Sequence, residues 1–370
     1  MSIHHGSDQK TTELDSDVRQ HVQKLLPEDY YGRVQAVSSP SFRGRNKSWI
    51  LTFDDGDKVF LKQVNKTIAG PYAFDRSVNF AKFSDSNPTN VPNSPKLLAS
   101  HRPSGLLAFE YCNGESLAKL LVDETIPDSF SRQVGSSLAK LHAGPTDNLQ
   151  EVAHPSPPVQ MLKQGISYQR LTAFSLAEIS LWSKLQQDQE LVDCAVALKA
   201  AEENHSVSPV HGDLRLDQYQ MHQNQLNLLD WEEFGVGDPA RDLGTFAGEW
   251  IYRGVLDTVT TRGGAEEPPQ QFSEESANQR IAERIGHLVP NIQVMWEAYC
   301  QERHDDDYHA LASRSVAFLG WHLIDRTIAR ASSVAKLPGI ERAAAGIGRR
   351  ILLEPQKYTQ ILGFERSDKK

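Results

Sequence analysis

Residues 211–218 read His-Gly-Asp-Leu-Arg-Leu-Asp-Gln, and Asp230 follows twelve residues after the last of them. A short apolar run leads into the His-Gly-Asp turn, and a second one, at 226–229, ends at Asp230. Short apolar runs bounded by turn residues indicate strands. We therefore expect Asp213 and Asp230 at the ends of two adjacent strands, where paired carboxylates can hold a metal ion and activate a hydroxyl group.

Length and composition are typical of an ordinary soluble globular protein. The chain has 370 residues, too many for one simple core, so two domains or two lobes are expected. A net charge of −9 argues against a nucleic-acid-binding protein, which usually has a basic excess. The three cysteines are too far apart for a disulfide framework or a zinc cluster, which favours a reducing, cytoplasmic location: Cys112, Cys194 and Cys300.

The start of the chain contains no targeting signal that we recognise. Residues 1–13 are polar and have no apolar core, unlike a signal peptide. No run approaches the roughly 20 apolar residues that span a bilayer. We expect a flexible N-terminus at 1–16, no membrane association and no nucleic-acid partner.

The pattern of apolar residues changes along the chain from strand-rich to helical. A helix is predicted at 18–26, and another at 72–84. Strands are predicted at 34–37, 49–53, 59–64, 96–99 and 106–111. Farther on, helices predominate, at 130–142, 171–185, 191–204, 281–287, 294–303, 309–331 and 341–353, with an exposed loop at 262–276. The predicted fold class is α+β, with a small antiparallel-sheet N-lobe at 17–112 and a large, mainly helical C-lobe at 113–370.

The order of these elements, together with four motifs, resembles the aminoglycoside phosphotransferase and choline kinase family, which has the bilobal protein-kinase-like fold. VGSSLAKLHA at 134–143 is similar to the family's long helix before the catalytic loop, and VHGD at 210–213 to that loop. LLDWE at 228–232 and GDPARDL at 237–243 are similar to the metal-binding strand end and the segment after it. The resemblance covers about residues 30–330 and implies ATP, with GTP as an open alternative, and Mg²⁺ as cofactors.

The resemblance assigns the catalytic step to Asp213 and His211. Asp213 would be the base that orients the acceptor hydroxyl as its oxygen approaches the γ-phosphorus. His211 precedes Gly212 and is expected to brace the loop by hydrogen bonding rather than to transfer a proton. Asp242, near Arg241, is expected to be a structural ion-pair or capping residue.

Metal binding is assigned to Asp230 and Gln218. Mg²⁺ prefers hard oxygen ligands, usually one or two carboxylates with phosphates and waters. The family normally has Asn five residues after the catalytic Asp, whereas Gln218 keeps the amide oxygen and adds one methylene. Gln218 would hold the metal with looser geometry, with Asp217 as an alternative ligand, or would only hydrogen-bond the loop.

Nucleotide binding is assigned to residues of the N-lobe. Lys62 lies within an apolar strand, where a lysine must snorkel or pair, and would contact the α and β phosphates. The polar loop that contains Ser41 and Gly44 would cover the phosphates with its N–H groups, with a plain hairpin loop as the alternative. The backbone of the lobe linker would bind adenine, through Glu110, Tyr111 and Cys112.

The usual partner of this lysine is missing from the sequence. The family has a Glu on the helix after the strand, and the matching position here is Ser77. Asp75 is the nearest carboxylate, but a residue two positions away along a helix faces elsewhere. We expect Lys62 to be held by Asp230 or by the phosphates alone.

The expected function is transfer of the γ-phosphate of ATP to a hydroxyl of a small molecule, such as an aminosugar. A second hypothesis is a kinase that phosphorylates Ser or Thr of a precursor peptide, because 211–218 and GTFAGEW at 244–250 loosely resemble kinase subunits of lanthipeptide-type pathways. It would work with a partner lyase that later dehydrates the residue. A third is a catalytically weak pseudokinase that acts as a binding subunit, suggested by Gln218 and the missing Glu, although Asp213, Asp230 and Lys62 are retained.

Overall fold

The computed structural model describes residues 13–40, 46–65, 70–147, 149, 154–262, 267, 273–303 and 307–365. Its contacts divide the chain into two compact units. Unit 1 consists of Met1–Pro88, Asn93–Ser116 and Asp217–Phe234, and unit 2 of Thr89–Pro92, Leu117–Leu216 and Gly235–Lys370. The sequence-based boundary after residue 112 assigns 217–234 to the second domain, whereas the contacts group this segment with the first.

Unit 1 is built on a five-stranded antiparallel sheet. Its strands are β1 (Val34–Ser38), β2 (Lys47–Phe53), β3 (Lys58–Gln63), β4 (Leu97–His101) and β5 (Leu106–Glu110). Their order in the sheet is β1-β2-β3-β5-β4. Helices α1 (Ser16–Leu25) and α2 (Glu28–Tyr31) precede the sheet, and α3 (Ala73–Ser86) follows β3. A tight turn at Asp54–Asp57 joins β2 to β3, and Gly56 in this turn has a φ of 90°.

Period-two alternation separates the two faces of this sheet. Leu51 and Phe53 of β2 and Leu61 of β3 pack in one core with the apolar face of α1. Because neighbouring side chains in a strand point to opposite faces, Lys62 lies on the face away from α1. It is paired in register with Leu107 of β5, which belongs to a separate core with residues of α3.

A second, three-stranded sheet in unit 1 leads to Asp230. It consists of β6 (Glu115–Ser116), β8 (Tyr219–His222) and β9 (Gln225–Leu228), with β8 in the middle. Gln223 and Asn224 both have positive φ, as a type I′ turn requires, and join β8 to β9. The tight hairpin therefore places the end of β9, and Asp230 beyond it, within unit 1.

Unit 2 is mainly helical. Its helices are α4 (Leu117–Val122), α5 (Phe130–His142), α6 (Val159–Gln164), α7 (Tyr168–Leu171), α8 (Leu176–Gln187), α9 (Gln189–Asn204), α10 (Pro239–Asp257), α11 (Glu274–Glu302), α12 (Tyr308–Ala331) and α13 (Gly339–Leu353). Strands β7 (Ser208–Val210) and β10 (Gly235–Gly237) pair beside the His-Gly-Asp turn. Helix α10 is buried along almost its whole length and packs against α11 and α12. Within the described ranges, no helix is both long and apolar enough to cross a membrane.

Some helix predictions are wrong. The predicted helices at 281–287 and 294–303 are one helix, α11, which continues through Pro290. Proline removes one hydrogen bond, but buried side chains such as Trp296 anchor the helix beyond it. The predicted helix at 171–185 begins later, at Leu176, because a capping box of Ser175 and Glu178 starts α8. The predicted loop at 262–276 lies largely outside the described residues, and from Glu274 the chain is helical.

Candidate active site

Asp230 lies two residues beyond the end of β9 in unit 1. Its φ is 66°, in the left-handed region that only Gly, Asn and Asp adopt with ease. The N–H of Leu229 donates to the carbonyl of Gln218 at 2.9 Å, which fixes the strand end beside the short 3-10 turn Leu216–Gln218. The Asp230 side chain is 28% exposed, so its carboxylate is accessible to a ligand.

Lys62 forms ion pairs with two carboxylates of the same segment. Its Nζ contacts Oδ1 of Asp230 and lies 2.8 Å from Oε2 of Glu232. Burial by itself lowers the pKa of Lys62, but the attraction of Asp230 and Glu232 outweighs it and raises this pKa above its ordinary value. Lys62 is therefore charged at neutral pH. The contact with Asp230 agrees with the expectation from sequence.

Glu232 is a site residue that the sequence reasoning missed. It is 5% exposed, and Asn46 donates its Nδ2–H to the same Oε2 at 2.8 Å. Asn46 also accepts a hydrogen bond from the N–H of Asn65, just beyond β3. The available signal was the LLDWE motif, in which Glu232 stands two positions after the proposed metal ligand.

Helix α3 gives Lys62 no carboxylate in the part of the chain that the structure describes. Ser77 donates its hydroxyl to the carbonyl of Ala73 at 3.0 Å, and Asp75 pairs with Arg102. The helix binds the segment after Asp230 instead. Arg76 forms an ion pair with Glu233, and the Phe80 ring stacks on Trp231 with centroids 3.6 Å apart.

The oxygen ligands available in unit 1 suit Mg²⁺, which usually keeps water and phosphate ligands. They would not suit a metal ion whose ligands all come from the protein. Asp230 offers a hard oxygen, and Gln218, although 3% exposed, carries an amide oxygen. Over the described residues, no group of three or more His, Cys, Asp or Glu side chains could hold a metal ion. A magnesium ion here would thus take its remaining ligands from phosphates and water.

The residues assigned to adenine binding lie at the end of β5. The N–H of Glu110 donates to the carbonyl of Lys96, and its carboxylate accepts from the N–H of Lys96. Tyr111 and Cys112 follow the strand and are half-buried. Burial raises the pKa of the Cys112 thiol, which lowers its reactivity as a nucleophile. Ser41 and Gly44, assigned to the phosphates, lie outside the described residues.

The His-Gly-Asp turn belongs to unit 2 and is held by Asp242 of α10. This fully buried carboxylate accepts the N–H groups of His211 at 2.7 Å and Gly212 at 2.9 Å, and Nε2–H of His142 at 3.2 Å. Burial alone raises the pKa of Asp242, but these donors hold it below its ordinary value. Gly212 has a φ of 88°, which explains the glycine in the turn.

Asp242 has a structural role, because it binds the backbone of the turn. Its sequence neighbour Arg241 is not its ion-pair partner. Arg241 pairs with Glu202 instead. The preceding Asp238 caps the start of α10 and pairs with Arg314 at 2.8 Å. The first turn of α10 is thereby fixed where it meets the loop.

Asp213 itself has a partly exposed side chain. Its N–H donates to Nδ1 of His211 at 3.3 Å, so His211 braces the turn. Its side chain is 23% exposed, and its Oδ2 lies 3.7 Å from Nε of Arg215. The carboxylate is thus accessible, while the backbone beneath it is fixed.

A second buried carboxylate on α10 holds the chain just after Asp213. Glu249 accepts the N–H of Leu216 at 3.1 Å and Nε2–H of His322 at 2.7 Å, and Nε of Arg326 lies 3.3 Å away. Burial alone would raise the pKa of Glu249, but the Arg326 guanidinium and the hydrogen-bond donors lower it to about 2. The sequence reasoning missed this residue. It lies two helical turns after Asp242, on the same face of α10.

The comparisons agree on fold and family. Residues 45–270 match the model of a family described as a phosphotransferase enzyme family. Among solved structures, an amicoumacin kinase in complex with AMP-PNP, Ca²⁺ and Ami is 14% identical over 92% of this chain and 94% of its own, with a TM-score of 0.51. The Plasmodium vivax ethanolamine kinase is 11% identical over 91% and 85% of the chains, with a TM-score of 0.51.

A choline kinase from Cryptosporidium parvum is 16% identical over 95% of this chain and 98% of its own, with a TM-score of 0.50. At this low identity, such similarity shows the fold alone. No curated protein matches the chain in sequence. The predicted α+β, protein-kinase-like fold is confirmed.

Proposed function

We propose, from the premise that the chain belongs to the phosphotransferase enzyme family, that it transfers the γ-phosphate of ATP to a hydroxyl of a small molecule with the help of Mg²⁺. Membership rests on a match over more than half of the chain and confirms the resemblance found in the sequence. The chain is thus a phosphotransferase with an alcohol group as acceptor.

The observation that carries the proposal is the buried Lys62 beside the partly exposed Asp230. A fixed ammonium group and a hard carboxylate oxygen are what nucleotide phosphates and Mg²⁺ require. The metal, when bound, would supply charge neutralisation on the phosphate oxygens. The fold neighbour in complex with AMP-PNP and Ca²⁺ supports the choice of a nucleotide and a divalent cation.

Asp213 would act on the acceptor. It would accept the hydroxyl proton as the acceptor oxygen bonds to the γ-phosphorus. The bond from this phosphorus to the β–γ bridging oxygen would break, and ADP would leave with the electron pair. His211 and Asp242 would keep the loop backbone in place, so that catalysis rests on positioning and charge neutralisation rather than on a covalent enzyme intermediate.

The acceptor is proposed to be a small molecule, an aminosugar or a similar compound. Support comes from the fold neighbours, which are named kinases of amicoumacin, ethanolamine and choline. A peptide Ser or Thr, with a partner lyase, is the alternative acceptor. A weakly active binding subunit is the other alternative.

One assay separates these functions. ADP formation is measured with Mg²⁺ and a panel of aminosugars, choline, ethanolamine and Ser- or Thr-containing peptides. We expect turnover with a small hydroxyl compound. Turnover with peptides alone would identify a peptide kinase, and nucleotide binding without any turnover would identify a binding subunit.

The metal role of Asp230 is tested with Asp230→Asn. Asn tolerates the positive φ at this position, so the backbone is preserved. We expect Mg²⁺ to strengthen ATP binding to the natural protein and to have little effect on the variant, as measured by calorimetry. If the variant retains the full Mg²⁺ effect, Asp230 is not the ligand.

A further inference from the structure

We propose that Glu232 is the positioning residue that holds Lys62 while Asp230 is engaged by the metal. The segment after β9 would then serve both the cation and the lysine. This inference rests on the proposed nucleotide role of Lys62. It assigns to the DWE segment a task that the resemblance gives to a Glu on the helix after β3.

The two carboxylates that contact Lys62 differ in exposure. The side chain of Asp230 is 28% exposed, whereas that of Glu232 is 6% exposed. Oε2 of Glu232 accepts both Nζ–H of Lys62 and Nδ2–H of Asn46, each at 2.8 Å. Glu232 is therefore a buried carboxylate that accepts two hydrogen bonds, and Asp230 is the carboxylate that a ligand can reach.

The charges of these three groups explain why two carboxylates are present. Lys62 carries one positive charge, and Asp230 and Glu232 carry one negative charge each. With Asp230 engaged by a metal ion, Lys62, which is 7% exposed, would lose one of its two partners. A buried ammonium without a partner is strongly destabilised. Glu232 would remain and would keep the lysine in place.

The structure also shows how Glu232 is held. On one side Asn46, next to β2, donates to it. On the other side, the flanking residues are bound to α3, Glu233 by Arg76 and Trp231 by the stacked ring of Phe80. Helix α3 thus acts on the lysine through the segment 231–233.

The test compares Glu232→Gln with Asp75→Asn in nucleotide-free protein. The reaction of Lys62 with an amine-acylating reagent is followed across pH by mass spectrometry. Glu232→Gln should shift the reaction of Lys62 to lower pH, because a favourable charge is lost. Asp75→Asn removes a carboxylate of α3, which pairs with Arg102, and should leave the profile unchanged. An unchanged profile in Glu232→Gln, or a shift in Asp75→Asn alone, overturns the proposal.

A second readout is ATP binding in the presence of Mg²⁺, which should weaken roughly 10-fold in Glu232→Gln and stay unchanged in Asp75→Asn. If Glu232→Gln does not fold, the double variant Lys62→Met, Glu232→Gln is made. It should fold, because the uncompensated ammonium is gone. Its failure would show that Glu232 serves another purpose. If the natural protein binds no ATP, the proposed function fails, while the acylation profile still decides the pairing.

Discussion

In unit 1 the carboxylates of Asp230 and Glu232 pair with a side-chain ammonium, whereas in unit 2 those of Asp242 and Glu249 accept backbone N–H groups. The first arrangement is a charge cluster around Lys62. The second, which we call the clamp, consists of Asp242 and Glu249, which bind the backbone N–H groups of the loop at 211–216. Both arrangements use carboxylates, but the carboxylates bind different partners.

The different partners of these carboxylates correspond to two different roles, ligand binding and support of the loop. An ion pair between side chains can be exchanged when a ligand brings new charges, as Asp230 would do with a metal ion. A carboxylate bound to backbone N–H groups fixes the path of the chain and leaves the neighbouring Asp213 side chain accessible. Changes in unit 1 should therefore alter binding of nucleotide and metal, and changes in unit 2 should alter the rate and the stability.

The largest effect is expected from Asp213→Asn. Loss of the proposed base should lower kcat about 10²–10⁴-fold, while ATP binding stays unchanged. Steady-state kinetics and calorimetry measure the two quantities. Asp193→Asn, an exposed carboxylate of α9, is the matched control and should behave as the natural protein does. Full activity in Asp213→Asn would remove this residue from the catalytic role.

Asp242→Ala should produce the next largest effect, on stability. It leaves the N–H groups of His211 and Gly212 without their acceptor in a buried place, and should cost about 3–5 kcal/mol in the free energy of unfolding. Asp242→Asn keeps one acceptor oxygen and should cost less. Urea unfolding measures both, with the exposed Asp123→Ala as control. Equal stability of Asp242→Ala and the natural protein would contradict the clamp.

Glu249 should make the free energy of unfolding depend on pH. Its pKa in the folded protein, about 2, lies below the ordinary 4.5, so its contribution is complete above pH 4.5 and is lost as the pH falls toward 2. That contribution is about 3 kcal/mol. Unfolding free energies at roughly pH 6 and pH 3 should differ less in Glu249→Gln than in the natural protein. The same acid sensitivity in both proteins would speak against the role of Glu249.

Much of this protein was determined by its sequence alone. Apolar patterns predicted the five strands of the larger sheet in unit 1, and four motifs identified the family and singled out Asp213 and Asp230. Such features are local, because each depends on residue types at short spacing along the chain. The helix through Pro290 escaped this reasoning, because packing far from the proline stabilises it.

Only the tertiary structure decided which charges meet. Lys62 is held by Glu232 as well as Asp230, and Asp242 binds the loop backbone while its neighbour Arg241 pairs with Glu202. Lys62 and Glu232 are 170 positions apart in the chain. A sequence gives the chemical type of each side chain but not its distance from the others, and an ion pair or a hydrogen bond depends on both.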